Sequence, residues 1–168
     1  MRSIFVLLLS LTLLATSGCK PKAKDIPPLQ RKEAASLASE AQFAVVLRDH
    51  ARAEPLFEKA AKLCPDTGEY WLGLGVARRR QNNLAGAKAA YEQARSAYHD
   101  AYAIDPAETE ALMQELYVLC LLGKKDEAQK TFEKAYKKDP NNGRLRSFAE
   151  SKQLEKLFAD TSFKDLTV

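Results

Sequence analysis

Apolar and polar positions follow a helical rather than a strand rhythm along this chain. From Glu33 onward Ala, Leu, Glu, Lys and Gln dominate, and apolar residues recur three and four positions apart. The small–large pair Ala53-x3-Phe57 returns as Ala87-x3-Tyr91 and again as Ala128-x3-Phe132, after steps of 34 and 41 residues. Prolines keep the same beat: Pro65 to Pro106 is 41 residues and Pro106 to Pro140 is 34. A period of this length predicts stacked helical hairpins, none of which can bury its apolar face alone. The expected fold class is all-α, a short α-solenoid of three hairpins closed by a C-terminal capping helix.

Helix breakers bound the elements. A first helix is predicted from about Lys32 to Leu47, turning at Arg48-Asp49, with its partner over Ala51–Leu63. Cys64-Pro65-Asp66-Thr67 ends that hairpin, and Asp66 followed by Glu69 resembles a capping box. The next helix stops before Asn82-Asn83, and a long one follows over Leu84–Ile104. Asp105-Pro106-Ala107-Glu108 reads as a helix start, with a capping Asp and Pro in the first turn. Gly123 turns the third hairpin. Asp139-Pro140 opens a further helix to about Ala149, a segment from Leu154 to Phe158 follows, and the ending from Phe158 through Phe163 to Leu166 is expected to form a short anchoring turn or helix. The resulting units are repeats at 34–67, 68–108 and 109–142, then a cap and tail at 143–168.

The middle unit is seven residues longer, nearly two helical turns, so its long helix extends without moving its apolar face. Tyr98 and Tyr102 on that extension line a ledge for a partner or pack against the C-terminal helices; the sequence leaves both readings open.

These residues resemble tetratricopeptide repeats over about 34–142. Trp71-x2-Leu74-Gly75 matches the family's first-helix signature, and Ala87-x3-Tyr91 with Ala94 matches the second helix. The first copy supplies Leu37, Ala41, Ala53, Phe57, Ala60 and Pro65; the third supplies Leu112, Leu119, Ala128, Phe132, Ala135 and Pro140. Glu40 and Glu115 stand where the signature prefers Leu, Leu116 where it prefers a small residue, and Arg78 where Tyr is usual. The resemblance implies packing roles for Trp71, Leu74, Gly75, Ala53, Phe57, Ala87, Tyr91, Ala128 and Phe132. It also implies a concave groove lined by the first helix of each hairpin. Carried over residue by residue, that groove comprises Ala38, Gln42, Val45 and Val46, then Glu69, Leu72, Val76, Arg79 and Arg80, then Glu110, Met113, Tyr117, Cys120 and Leu121. The family's clamp for peptide carboxylates uses Asn and Lys; Val45 and Arg79 stand at two of its Asn positions, which argues against that role. The groove is either open to a helical or extended apolar segment or filled by the chain's own C-terminal cap.

The N-terminus carries a different signal. Met1-Arg2 precedes an almost unbroken apolar run from Ile4 to Ala15, 12 residues and too short for a membrane-spanning helix of about 20. Leu14-Ala15-Thr16-Ser17-Gly18-Cys19 resembles a bacterial lipobox, with Thr16 departing from the usual Leu. The resemblance implies a lipoprotein signal peptide at 1–18, acylation of Cys19 with diacylglycerol and an acyl chain such as palmitate, and a tether at 19–33. An ordinary signal cleaved after Ser17 is the alternative. Net charge is +4, and no charge run points to nucleic acid.

Motifs for catalysis are absent. Gly73-x-Gly75 lies inside a predicted helix beside Trp71 and reads as packing rather than a dinucleotide fingerprint. His50 and His99 lack metal-ligand spacing to each other or to the cysteines. Cys64 and Cys120 fall at different points of different hairpins and read as packed thiols. Carboxylates are expected at solvated helix positions. No enzyme activity, cofactor, metal or small-molecule substrate is expected. The resemblances imply a lipid-anchored adaptor in the bacterial cell envelope, on the periplasmic side of an outer membrane where the host has one, that binds a protein partner. A pilotin-like assembly factor for an envelope pilus or secretion machine is the alternative, and an enzyme accessory subunit a third.

Overall fold

The computed structural model describes residues 23–160 and 166–168. The apolar leader, Cys19 and Phe163 lie outside the described residues. Among them are eight α-helices and no strand: α1 Pro28–Val46, α2 His50–Leu63, α3 Gly68–Arg80, α4 Leu84–Ile104, α5 Thr109–Leu121, α6 Lys125–Lys138, α7 Gly143–Glu150 and α8 Gln153–Ala159. Each helix from α1 to α6 packs on the next, so α1/α2, α3/α4 and α5/α6 form three hairpins in a row.

The turn inside each hairpin is built the same way. Arg48 (φ 61°), Asn82 (φ 63°) and Gly123 (φ 70°) take the left-handed conformation just past the first helix. The next amide in each case reaches back to the helix: Asp49 N to Ala44 O, Asn83 N to Arg78 O, and Lys124 N to Leu119 O, each at 2.9 Å. This double closure satisfies helix carbonyls that otherwise lack partners. Two of the following helices are then capped by side chains. Asp49 accepts from Arg52 N at 3.0 Å, and Asn83 accepts from Gly86 N at 2.9 Å.

Turns between hairpins follow a second rule. Cys64, Asp105 and Asp139 each precede a proline and leave the helical region, with φ of -126°, -128° and -139° and ψ of 76°, 89° and 76°. Proline clashes with a helical predecessor, so the chain must leave the helix there. The prolines therefore end helices rather than open them. Asp105-Pro106-Ala107-Glu108 is a turn, with Asp105 accepting from Ala107 N at 3.1 Å, and α5 starts at Thr109. Likewise α3 starts at Gly68 without a side-chain cap from Asp66 or Thr67, and α7 starts at Gly143 behind an Asn142 cap. The sequence-based helix starts at Asp66, Asp105 and Asp139 are corrected accordingly. Residues 28–33, expected to belong to an extended segment, instead form the opening of α1, with Pro28 in the first turn, where its missing amide is tolerated.

The repeat is legible in depth. Ala53, Ala87 and Ala128 each occupy the fourth position of α2, α4 and α6, and all three are fully buried. Phe57, Tyr91 and Phe132 lie one turn on, also buried; burying a ring of this size is worth about 1.5–3 kcal/mol. Gly75 makes the middle hairpin close, since a Cβ there would sit 2.3 Å from Cε1 of Tyr91. Trp71 touches both apolar clusters, one in the first two hairpins and one running from the middle hairpin into the C-terminal helices. Its indole donates to Pro65 O at 3.1 Å.

The far end is closed by two short helices rather than one. Leu145 of α7 and Leu154 of α8 are buried, and Phe148 packs on Phe132 with ring centroids 4.9 Å apart and the rings tilted by 45°. Both remaining cysteines are buried free thiols. No described helix is long and apolar enough to cross a membrane.

Candidate partner-binding groove

The first helices α1 and α3 leave an open apolar depression between them. Its cavity of about 360 Å³ is lined by Gln42, Val45, Val46, Phe57, Glu69, Leu72, Gly73 and Val76. Six of these eight belong to the groove read from the sequence. Phe57 and Gly73 were missed in that role, and they act together. A Cβ on Gly73 would fall 2.5 Å from the Phe57 ring; without one, the ring of the second helix reaches through and floors the groove. Gln42 Nε2 donates to Glu69 Oε1 at 2.9 Å across the top.

Beside this depression α1 exposes a further apolar stripe. Phe43, Val46 and Leu47 are 58%, 77% and 59% exposed, and their i, i+3, i+4 spacing puts them on one face. This is the largest set of adjacent exposed hydrophobics among the described residues. The end of a repeat stack is ordinarily polar, so an apolar end face is a departure that favours a covering partner.

Between α3 and α5 the surface differs. Arg79 is half-buried, and its Nε donates to Thr167 O at 2.9 Å, while Arg80 is exposed. Met113 lines a separate depression with Gly143, Arg144, Ser147 and Phe148, so α7 borders it rather than an open groove. Tyr117 is half-buried, and burial pushes its phenol up. Glu110 is held by Arg144 and Gln114. Ala38, Cys120 and Leu121 are buried, which corrects their assignment to the groove lining; burial also pushes the Cys120 thiol up to about 11. The sequence-derived groove is therefore one open stretch on α1 and α3, a second open depression of about 600 Å³ that Glu69, Leu72, Tyr98, Glu110 and Gln114 line between α3, α4 and α5, and a stretch at Arg79 that residues 166–168 cover, with α7 bordering Met113.

The lengthened α4 packs inward over much of its extension. A Cβ on Gly68 would lie 2.8 Å from the Tyr98 ring, so Tyr98 covers the start of α3, and it also lines the depression beside Glu69 and Glu110. Tyr102 is half-buried against the larger apolar cluster, and the exposed large apolar residues of α4 are Leu84 and Ile104 at its two ends. Glu115 overturns the expectation that carboxylates stay solvated. It is 2% exposed, and its Oε1 meets His99 Nδ1 at 3.0 Å while Oε2 is buried without a hydrogen bond. Burial pushes its carboxyl up, against the opposing pull of His99 and Arg95. Arg78, standing where the signature prefers Tyr, pairs with Glu54 at 2.9 Å and links the first two hairpins.

Among the described residues no group of His, Cys, Asp and Glu is placed to hold a metal.

Family models agree with this architecture. Tetratricopeptide repeat models match residues 39–107 and 110–142. No curated protein matches the chain. Similar solved structures include the tetratricopeptide domain of Arabidopsis OM64 (18% identity, TM-score 0.44, covering 76% of this chain and 98% of that one). The first such domain of Spaghetti (RPAP3), bound to the HSP90 peptide SRMEEVD, shares 18% identity at TM-score 0.45 and covers 77% and 96%. The Yersinia enterocolitica type III secretion chaperone SycD, in complex with a peptide of the translocator YopD, shares 17% identity at TM-score 0.46 and covers 82% and 97%. With two family models accounting for residues 39–107 and 110–142, and the alanine–aromatic pairs in matching places of successive hairpins, the chain belongs to the tetratricopeptide repeat family.

Proposed function

We propose that this protein is an adaptor that holds a protein partner in the groove between α1 and α3, and that acylated Cys19 keeps it at a membrane of the bacterial envelope. The observation that carries the first part is the open apolar trough floored by Phe57, continuous with the exposed stripe of Phe43, Val46 and Leu47. Tetratricopeptide repeats are in general interaction scaffolds, and a trough of this kind suits an apolar segment of a partner. Gln42 and Glu69 at its top offer the polar contacts that fix register.

The anchor rests on the Leu14–Cys19 sequence alone. Two acyl signals make a stable anchor where one does not, at about 0.8 kcal/mol per buried methylene. The chain after Cys19 is polar up to α1 and gives the repeats reach from the surface.

A photo-crosslinking residue at Val46, introduced in cells, tests the groove. The reading expects one dominant protein adduct, lost when Leu72 is changed to Asp. Adducts spread evenly, or unchanged by that substitution, reject it. A dominant adduct to a pilus or secretion subunit would make the adaptor an assembly factor. Metabolic labelling with a palmitate analogue tests the anchor separately: label is expected on the native chain and not on Cys19→Ser, and an unlabelled native chain removes it.

A further inference from the structure

The last residues of the chain occupy part of the concave surface. Leu166, Thr167 and Val168 lie outside any helix, yet each is held by its main chain. Tyr91 Oη donates to Leu166 O at 3.1 Å, Arg79 Nε donates to Thr167 O at 2.9 Å, and Val168 N donates to Leu121 O at 3.0 Å. The three protein groups come from α3, α4 and the last residue of α5. Leu121 O is one of the carbonyls that a helix end leaves without an intrahelical partner. The side chains of Leu166 and Val168 rest on the larger apolar cluster.

Main-chain hydrogen bonds of this kind do not depend on the side chains of the bound segment, so any segment with apolar residues at the first and third positions meets the same three groups. Arg79, at the α3–α5 contact, is one turn from Val76, which lines the open trough. The occupied surface and the open one therefore adjoin.

We propose that Arg79, Tyr91 and Leu121 form a binding subsite for a non-helical apolar–polar–apolar segment of a partner protein, and that residues 166–168 are its resident occupant, which the partner segment replaces. This rests on the reading of the groove as a partner surface and adds its regulation. A tethered occupant competes at a high effective concentration, so it lowers the apparent affinity for any segment in solution.

The test uses a labelled synthetic peptide of residues 158–168 (FADTSFKDLTV) with the native chain, a form ending at Asp165, and Val168→Pro, which lacks the amide that Leu121 accepts. The form ending at Asp165 is expected to bind the peptide saturably. The native chain should bind about tenfold or more weakly, as for a subsite filled nine-tenths of the time, with Val168→Pro between them. Arg79→Ala in the shortened form should weaken binding. Equal binding by the native and shortened forms overturns the proposal, as does a folded shortened form that does not bind. Loss of helical circular dichroism on removing three residues also overturns it, since they are then part of the core. A native chain that is a dimer exchanging these residues would do the same. No partner enters this measurement, so its failure leaves the Val46 crosslinking result standing, and the converse holds.

Discussion

His99 Nδ1 lies 3.0 Å from Oε1 of Glu115, tying the lengthened α4 to the middle of α5. The pair is unequal: the Glu115 side chain is 3% exposed and the His99 side chain 60%. A carboxylate so placed loses hydration, and its second oxygen finds no hydrogen bond. Arg95 and Glu127 are the other charges acting on it, one lowering and one raising its pKa.

The net direction is upward, so the folded protein binds this proton more tightly than the unfolded chain does. Stability from Glu115 is then present at low pH and is lost as pH rises through its folded-state pKa. At neutral pH the ionised group opposes folding. Glu115→Leu, which restores the residue preferred by the repeat signature, is expected to raise stability by about 1 kcal/mol at pH 7. The gain should shrink as pH falls and the native carboxyl takes its proton. Thermal melts of both forms across pH 4–8 check this; a variant less stable than the native chain at pH 7 shows that the His99 contact outweighs desolvation.

Gly75 and Tyr91 set the closest approach inside the middle hairpin. Gly75→Ala gains about 1 kcal/mol of helix propensity. Its Cβ would stand 2.3 Å from a ring that is fully buried and cannot step aside. Overpacking of this severity costs about 3 kcal/mol, so a net loss of about 2 kcal/mol is expected. Gly143→Ala is the matched control, because nothing lies within 4 Å of its Cβ position. It should gain about 0.5 kcal/mol. Urea midpoints of the two variants should move in opposite directions.

Arg48 occupies the left-handed turn that Gly123 fills in the third hairpin. A side chain costs about 1–2 kcal/mol there, and Arg48 is exposed. Arg48→Gly is expected to stabilise by about 0.5 kcal/mol after the extra entropy of unfolded glycine is counted. Asn82→Gly should gain less, since Asn tolerates this conformation. Equal denaturation midpoints for Arg48→Gly and the native chain would place the turn's cost elsewhere.

Much of this was legible before any coordinates. The alanine–aromatic pairs located the second helices because small-beside-large is what close hairpin packing demands, and the prolines marked where hairpins end. Proline phase was read with the wrong sign at Asp105 and Asp139, since Asp-Pro serves equally as a cap and as a stop, and only the next capping residue decides. The left-handed turns at Arg48 and Asn82 were hidden because neither is glycine. Burial of Glu115 was hidden because its partner comes from the seven-residue extension, outside the repeat's own pattern. Phe57 as a groove floor follows only from the absence of a side chain at Gly73. The contact of residues 166–168 with Arg79 and Tyr91 spans 88 and 75 positions of the chain, and main-chain recognition leaves no residue pattern to read.

Val46 offers the most direct reading of the trough, because its substitution separates docking from folding. At 77% exposure it contributes little to the core, so Val46→Asp should change stability by less than about 0.5 kcal/mol. It borders the trough with Leu72 and Val76, where a carboxylate would have to lose its water when an apolar segment docks. Desolvation of that kind typically weakens binding at a central contact by tenfold or more. Leu84, 47% exposed at the start of α4 and outside the trough lining, supplies the comparison. Leu84→Asp removes a similar exposed hydrophobic, so with the photo-crosslinking residue placed at Gln42, which also lines the trough, it should leave the adduct at native levels while Val46→Asp falls well below them. Parallel losses in both variants would trace the effect to general surface hydrophobicity and not to the trough.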